Sequence, residues 1–330
     1  MDPGEGARPD EGWLEVMFLV TGGTGFVGRS VLRRLREDGH AVRTLLRPAR
    51  ASPNLPRGVS TEVTLSSLLD PRGLRASLVG VEAVIHLAGS EKQAGREDPM
   101  AADVEGTRNL AEAAADAGVR RILFLSHLGA NRASAYPLMR AKSLAEEHIR
   151  QCGVPSTILR PGAVFGPGDS FTTWLAMGLA ISPLVFPIPG DGSTLLQPLW
   201  VEDLATCITW ALEEPATSGQ IYEIGGPEFL TFLQIVRLVM QVTGTRRILA
   251  PVRPPYLRAA AWVAERLLPR PPLTTIWLDY LSANRTAEVG TLPRVFRLQP
   301  ARMEQHLDHL RGRNWGWDLL GRQFRPQAEE

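Results

Sequence analysis

Cysteine and net charge are both scarce in this chain. The only cysteines, Cys152 and Cys207, lie far apart and form no CxxC pair. Neither a disulfide framework nor a cysteine-based zinc site is therefore predicted, and a reducing, cytoplasmic environment fits best. The 36 basic and 35 acidic residues leave a formal net charge of +1. Because nucleic-acid binding requires a basic surface, no nucleic-acid partner is predicted.

Long hydrophobic runs are also missing. No stretch of about 18 apolar residues occurs, so no membrane-spanning helix is predicted. Residues 1–15 are acidic and rich in glycine and proline, which is typical of a disordered tail and not of a signal peptide. The chain has 330 residues, of which 44% are hydrophobic and 22% charged. This composition predicts a globular protein with a sizeable core.

Lysine is the scarcest charged residue. The basic residues include only two lysines, Lys92 and Lys142. Since arginine serves wherever a plain cation suffices, a lysine kept at a motif position indicates that a compact amine is needed there. Chance retention is the alternative.

A glycine pattern stands near the start of the chain. Gly22, Gly25 and Gly28 form GxxGxxG between the apolar segment VMFLVT and the helical pattern FVGRSVLRRLRE. In a strand–turn–helix unit, such glycines permit a tight turn, close approach of the backbone to a pyrophosphate, and close packing of helix on strand. The free NH groups of the helix N-terminus then face the phosphates. The sequence therefore predicts a dinucleotide site here.

The next predicted strand, AVRTLLR, ends at Arg47. NAD-specific proteins of this type place Asp or Glu there to bind the ribose diol. Arg47, with Arg29 after the glycine loop, would instead bind a 2′-phosphate, since a guanidinium matches phosphate geometry. NADP(H) is therefore favoured over NAD(H), although in so arginine-rich a chain both residues could be plain surface charges.

Further strands follow at the spacing of βα units. Their alternation with helical segments predicts an α/β fold, a Rossmann doubly wound parallel sheet flanked by helices with a smaller, mostly helical C-terminal lobe. The strands are predicted at residues 59–64, 83–89, 120–126 and 156–161. The nucleotide-binding domain is assigned to residues 16–170 with 201–225, and the lobe to 171–200 and 226–330.

Two candidate catalytic features have structural interpretations. His86, inside AVIHLAG, is predicted to be a packed strand histidine. Glu202 and Asp203 begin VEDLATCITWALEE. They are interpreted as the first turn of a helix, where carboxylates offset the positive end of the dipole, rather than as an acid pair.

Six motifs occur in a fixed order: TGGTGFVG, VIHLAG, VEGTRNL, LRPGAVFGPGD, LLQPLWVEDLA and IYEIGGPEFLT. Over about residues 16–310 the chain resembles the atypical extended short-chain dehydrogenase/reductase family, which is NAD-dependent epimerase/dehydratase-like and NAD(P)-binding. Within that family it is most similar to the branch that contains the nucleotide-binding accessory subunit of respiratory complex I and its bacterial relatives.

The resemblance implies a set of cofactor-binding residues. Ser67 stands where relatives commonly carry an Asp facing adenine, and Lys142 is implied to bond the nicotinamide ribose. The other implied contacts are with the pyrophosphate (Gly22, Thr24, Gly25, Phe26 and Val27), the cofactor beside its ribose (Ala88 and Gly89), and the nicotinamide edge (Pro161, Gly162 and Val164).

The catalytic hydroxyls of active relatives have no counterpart at the matching positions. Active members use a Tyr four residues before the Lys and a Ser or Thr on the preceding loop. Leu138 stands four residues before Lys142, and Leu128 stands at the third place of SHLGA. The remaining candidates for catalysis are Lys142, Tyr136 and Ser126, with His127 as a further surrogate. Tyr136 is six residues from Lys142 and precedes Pro137, which favours a position at the N-cap of a helix.

Two functions remain open. The first is an NADP(H)-bound structural or assembly component of a membrane redox complex, cytoplasmic and peripheral at the inner face of the membrane. The alternative is an NAD(P)H-dependent oxidoreductase or epimerase acting on a carbonyl or sugar-nucleotide substrate over the nicotinamide. The amphipathic segment 254–272 would contact complex subunits or a membrane surface, or pack on the core of the lobe.

Overall fold

The computed structural model describes residues 16–48, 55–56, 58–89, 100–268, 271 and 274–324. The predicted tail 1–15, Lys92 and part of the segment 254–272 lie outside these residues.

The strands, in chain order, are short and mostly apolar. They are β1 (Met17–Thr21), β2 (Ala41–Leu46), β3 (Glu62–Leu65), β4 (Ala83–His86), β5 (Arg121–Leu125), β6 (Ser156–Pro161), β7 (Val164–Phe165), β8 (Val185–Pro189), β9 (Leu195–Leu196), β10 (Leu199–Trp200), β11 (Ile221–Ile224), β12 (Leu230–Thr231) and β13 (Ile248–Val252).

Among the described residues, the helices lie between strands as far as β13, and the last of them follow it. They are α1 (Phe26–Glu37), α2 (Pro71–Ser77), α3 (Gly106–Asp116), α4 (Pro137–Gln151), α5 (Phe171–Ile181), α6 (Val201–Glu213), α7 (Phe232–Thr243), α8 (Pro254–Leu267), α9 (Thr275–Tyr280), α10 (Thr291–Val295) and α11 (Trp315–Phe324). A π-helical turn, Met100–Glu105, leads into α3. Among the described residues, no helix combines the length and apolar character needed to cross a membrane.

Seven strands form one parallel sheet in the order β3-β2-β1-β4-β5-β6-β11. This is the predicted doubly wound sheet, and its strand order reverses between β1 and β4, where such sheets bind ligands beyond the carboxyl ends of their strands. The strand predicted at 59–64 is shifted, since β3 covers Glu62–Leu65.

The two faces of the sheet bury alternate residues of each strand. Phe18 and Val20 of β1 face α1 and α6, whereas Leu19 faces the layer of α2, α3 and α4. α6 begins at Val201 and carries Glu202 and Asp203 in its first turn. The structural interpretation of those carboxylates is therefore confirmed.

A second core lies beyond the carboxyl ends of the strands. It is formed by α5, α7, α9 and α11 together with the first turn of α4, which contributes Leu138 and Met139. These helices, with α8 and the pairs β8–β13 and β9–β12, make up what we call the C-terminal lobe. The lobe therefore covers the end of the sheet where a dinucleotide would bind.

The glycine turn constrains how closely α1 approaches β1. A Cβ atom on Gly28 would lie 2.1 Å from the Gly22 carbonyl oxygen. We expect Gly28→Ala to push α1 outward, to lower the free energy of unfolding by about 1–3 kcal/mol as overpacking does, and to weaken dinucleotide binding. Urea unfolding and a nucleotide titration measure both effects.

Gly321→Ala is the matched control, because a Cβ there has open space around it. Equal stability and equal nucleotide affinity of the two variants would contradict the role given to Gly28.

Candidate dinucleotide site

The glycine turn forms a cradle at the N-terminus of α1. Gly22 has φ +75°, and a Cβ on it would lie 2.7 Å from the Ala88 backbone nitrogen. Its carbonyl accepts a hydrogen bond of 2.9 Å from the Gly25 backbone nitrogen. Only glycine combines this left-handed conformation with this lack of space. The NH groups of the first turn of α1, residues 26–28, therefore face outward at the end of the sheet, which fits a pyrophosphate.

Three further residues are predicted to bind the adenosine half of the cofactor, and they lie in different places around the cradle. Arg29 Nη1 donates a 3.1 Å hydrogen bond to the Thr24 carbonyl, so its guanidinium lies on the glycine loop. Arg47 is exposed just beyond β2. Ser67 is half-buried beyond β3, and its hydroxyl accepts a hydrogen bond of 3.1 Å from the Leu69 backbone nitrogen. Arg47 and Ser67 therefore follow β2 and β3, whereas Arg29 belongs to α1.

Lys142 forms a buried ion pair at the end of β4. Its Nζ lies 3.0 Å from Asp103 Oδ1, and the two side chains are 3% and 1% exposed. A Cβ on Gly89 would lie 2.7 Å from Lys142 Nζ and 2.9 Å from Asp103 Oδ1. Lys142 belongs to α4, whereas Asp103 belongs to the π-helical turn before α3. The pair therefore joins two helices next to the segment predicted to contact the ribose.

A chain of buried polar groups connects this pair to β1. His86 Nδ1 lies 2.6 Å from Thr21 Oγ1, and His86 Nε2 lies 2.9 Å from Thr107 Oγ1. The Thr107 hydroxyl donates to the Asp103 carbonyl. Burial, and then the nearby Lys142 cation, lower the pKa of His86 to about 3. His86 is therefore a neutral, packed strand histidine, as predicted, and it connects two threonines.

Ser126 follows β5, and its hydroxyl donates to a Glu146 carboxylate oxygen in the interior. Glu146 also accepts hydrogen bonds of 2.8 and 2.6 Å from Arg160, and donation to this carboxylate raises the pKa of Arg160. The structure thus places Ser126 in an ionic network between β5, β6 and α4. Glu146, its acceptor, lies one turn of α4 beyond Lys142.

The two leucines at the positions of the family's hydroxyls are buried. Leu138 is 6% exposed and packs in the core of the lobe, and Leu128 is 3% exposed. Tyr136 is the N-cap of α4, with Pro137 at the first helical position, as predicted. The Tyr136 ring packs at the margin of the lobe core. Aliphatic carbon therefore occupies the helical position one turn before Lys142.

The segment predicted to line the nicotinamide edge is fixed by backbone contacts. The Gly162 backbone nitrogen donates a 2.8 Å hydrogen bond to the Ile224 carbonyl, and the Pro161 carbonyl accepts a 3.0 Å hydrogen bond from the Leu128 backbone nitrogen. A Cβ on Gly162 would lie 2.8 Å from the Gln197 carbonyl oxygen. Val164 pairs with Leu199 in a short parallel ladder. The carboxyl ends of β5, β6 and β11 are thereby held together under the lobe.

Comparison with known proteins decides the family. The sequence model of the NAD dependent epimerase/dehydratase family matches residues 18–225. The chain belongs to this family. The resemblance seen in the motifs is thereby confirmed, and a nicotinamide dinucleotide is the cofactor of the family.

Relatives within and near the family carry different functions. The chain is 33% identical to a ceramide reductase of Caulobacter vibrioides over 75% of this chain and 77% of that protein. It is 30% identical to the mitochondrial NADH dehydrogenase [ubiquinone] 1 alpha subcomplex subunit 9 of Arabidopsis thaliana, over 76% of this chain and 63% of that subunit. A Thermus thermophilus UDP-glucose 4-epimerase solved with NAD is similar in fold, with a TM-score of 0.68 and 21% identity over 90% of this chain and 99% of that one.

Sequence reasoning missed the partner of Lys142 in this family member. Asp103 lies 39 positions before Lys142, just ahead of the motif VEGTRNL. It also missed Tyr280 of α9, whose buried ring lies 5.1 Å from the His127 ring by their centroids. No pattern in the sequence distinguishes Asp103 from the neighbouring Glu105 as the partner of Lys142, and none marks Tyr280.

The lowered pKa of His86 predicts a pH dependence of stability. An unfolded histidine binds a proton below about pH 6.5, whereas folded His86 stays neutral down to about pH 3. The unfolded state therefore binds more protons between these values, and stability falls as the pH falls below 6.5. Between pH 7 and pH 5 we expect this group to remove about 2 kcal/mol of unfolding free energy.

The measurement is urea unfolding of the wild type and of His86→Asn at a series of pH values from 7 to 5. The variant should be less stable at pH 7 and should lose less stability on acidification. Parallel curves for the two proteins would show that His86 is not the group responsible.

Proposed function

We propose that this protein binds NADP(H) as a firmly held ligand and acts as a nucleotide-bound structural or assembly component of a membrane redox complex. The relation to the complex I subunit and the geometry of the glycine cradle support the proposal. In this role the bound dinucleotide stabilises the fold, and conventional hydride chemistry is impaired.

The single observation that carries the proposal is the contrast between Lys142 and Leu138. Lys142 is kept, buried and ion-paired beside the segment predicted to bind the ribose. One helical turn earlier, the side chain is the buried Leu138. Reduction of a carbonyl needs a hydride on its carbon and a proton on its oxygen, and leucine has no acidic proton to give. In this proposal Lys142 still serves to bind the cofactor, while the Tyr that would donate the proton is replaced by Leu138.

NADP(H) is the preferred form in this proposal. Arg29 lies on the glycine loop, and exposed Arg47 follows β2 where a carboxylate would select the ribose diol. Guanidinium groups bind a phosphate with paired, charge-assisted hydrogen bonds. We expect NADPH to bind more tightly than NADH.

The experiment combines binding with turnover. NADPH at about 100 times its Kd should stabilise the protein by about 2.7 kcal/mol, measured as a rise in Tm, and its absorbance should persist when aldehydes and ketones are added. Lys142→Met removes one partner of the buried ion pair with Asp103, so the free energy of unfolding should fall by about 3–5 kcal/mol, and the rise in Tm caused by NADPH should become smaller.

Lys142→Met combined with Asp103→Asn is the matched control, because it removes both charges and should restore part of the lost stability. Rapid NADPH consumption with one carbonyl compound, abolished by Lys142→Met, would contradict the proposal and identify an enzyme.

The surface of α8 supports a partner for the C-terminal lobe. Only Leu257 and Ala261 of this helix are buried, against Leu278. Four large apolar side chains point outward with exposures of 44–74%: Tyr256, Trp262, Val263 and Leu267. Arg266 stacks on Trp262, with its Cζ 3.5 Å from the ring centroid. Exposed aromatic and arginine side chains on one helix are typical of an interface, so we assign α8 to the contact with complex subunits.

A charge placed on this face tests the assignment. Trp262→Glu should shift the tagged protein from a large assembly to the monomer position in native electrophoresis of membranes solubilised from its natural host, with unchanged NADPH affinity. Trp317→Glu is the matched control, since Trp317 of α11 is 71% exposed and lies on another helix. Loss of the assembly in both variants, or in neither, would contradict a specific role of α8.

A reductase is the second candidate. Its specific support is the pair His127 and Tyr280, whose rings meet next to the loop after β5, together with the relation to a ceramide reductase. In such a reaction NADPH would transfer a hydride to a carbonyl carbon, and one of these groups, or Tyr136, would give a proton to the oxygen. The turnover experiment above separates this function from the binding function.

A further inference from the structure

Arg285 is a buried cation held in place from both sides. Its backbone nitrogen donates a 2.8 Å hydrogen bond to the Leu195 carbonyl. Two residues later, the backbone nitrogen of Ala287 donates a 2.7 Å hydrogen bond to Oε1 of the buried Gln197. The residue as a whole is 7% exposed. Because the backbone is fixed on both sides, the direction of the side chain is determined by the fold.

The guanidinium of Arg285 lies on the loop that follows β5. A Cβ on Gly129, which has φ +93°, would lie 1.9 Å from Arg285 Nη1 and 3.0 Å from its Cζ. Gly129 is three residues beyond Ser126. A side chain at position 129 would therefore occupy the place that the guanidinium takes. This loop belongs to the carboxyl edge of the sheet, where open α/β sheets bind their ligands.

The charge of Arg285 is not balanced within the part of the chain that the structure describes. The Arg285 Nε donates a 3.3 Å hydrogen bond to the Tyr280 carbonyl, and the Arg285 Cζ lies 5.5 Å from the Tyr280 ring centroid. Among the described residues, no carboxylate lies within ion-pair distance of this guanidinium, and its Nη1 and Nη2 groups have no hydrogen-bond acceptor. The partly buried Arg160, by contrast, pairs with Glu146 and Glu223.

Arginine is almost never buried unless it is paired. The Nη1 and Nη2 atoms of Arg285 are not among the fully enclosed atoms that lack a hydrogen-bond partner, so they are accessible to a ligand. A guanidinium presents two NH2 groups in one plane, which match the two oxygens of a carboxylate or phosphate. The surroundings of Arg285 therefore suit a guanidinium that pairs with an oxyanion from outside the described residues.

We propose that Arg285 forms an anion-binding subsite at the lobe-covered mouth of the dinucleotide cleft, where it binds the carboxylate or phosphate group of a small-molecule ligand. The inference goes beyond the proposed function, because an acidic ligand can bind there without any hydride transfer. It also defines the ligand class: a small molecule with one oxyanion, bound between the loop after β5 and α9.

The test uses the full chain saturated with NADPH, so that the pyrophosphate cradle at α1 does not take up the probe. Inorganic phosphate, benzoate and benzamide are titrated by calorimetry at constant ionic strength. Benzamide matches benzoate in shape and lacks its charge. We expect benzoate or phosphate to bind about 10- to 100-fold more tightly than benzamide, as a charge-assisted pair provides. Phosphate alone or benzoate alone identifies which anion the subsite accepts.

Arg285→Met should remove this preference while its affinity for NADPH stays that of the wild type. Arg311→Met is the matched control, since Arg311 is 70% exposed and pairs with Asp308 on the surface. If Arg285→Met does not fold, Arg285→Lys serves instead: it keeps the charge but lacks the planar pair of donors, and it should lose about 10-fold in anion affinity.

Equal binding of benzoate and benzamide to the wild type, or anion binding that survives both Arg285 variants, would overturn the subsite. The rise in Tm with NADPH is recorded before any anion is added. Failure of nucleotide binding and failure of the anion subsite are therefore seen separately.

Discussion

The structure depends on one buried ion pair, between Lys142 and Asp103. Two charges this far from water are tolerated only when each compensates the other. The pair therefore requires α4 and the π-helical turn before α3 to meet next to Gly89. Burial, and then the Lys142 cation, lower the pKa of His86 behind the pair, whereas the Asp103 carboxylate raises it. The pair thus determines where the lysine lies, and burial together with the lysine charge keeps His86 neutral.

Around this pair, the two halves of the cleft have different physical origins. The side predicted to bind the pyrophosphate has no space for side chains, since Gly22 and Gly28 leave no room for a Cβ. The side predicted to bind the nicotinamide contains the buried side chains of Leu138 and Leu128. The C-terminal lobe covers this end of the sheet and contributes the Arg285 guanidinium.

Local patterns predicted a large part of the fold. The glycine motif, the N-cap at Tyr136 and the helix that begins at Val201 each follow from contacts within a few residues, and the structure shows them as expected. The alternation of strand and helix patterns predicted the parallel sheet, which the structure also shows. The start of β3 was wrong by three residues, because this edge strand is exposed and its residues 59–61 make no ladder. The prediction for Lys142 rested on the resemblance to the family and on the scarcity of lysine in the rest of the chain.

Contacts between distant segments could not be predicted in this way. Asp103 and Lys142 meet only because two helices cross, and Arg285 reaches Gly129 only because the lobe folds back on the sheet. Neither the periodicity of the apolar residues nor the spacing of the motifs shows which distant side chains come into contact. The cofactor preference, the catalytic capacity and the partner of the lobe depend on the same long-range geometry, and they stay predictions.

The most direct measurement for the central claim is mass identification of the nucleotide released when the purified, untreated protein is denatured. The account predicts close to one NADP(H) per chain, retained through purification. A chain that purifies without nucleotide, and that binds neither NADPH nor NADH when they are supplied, would contradict it.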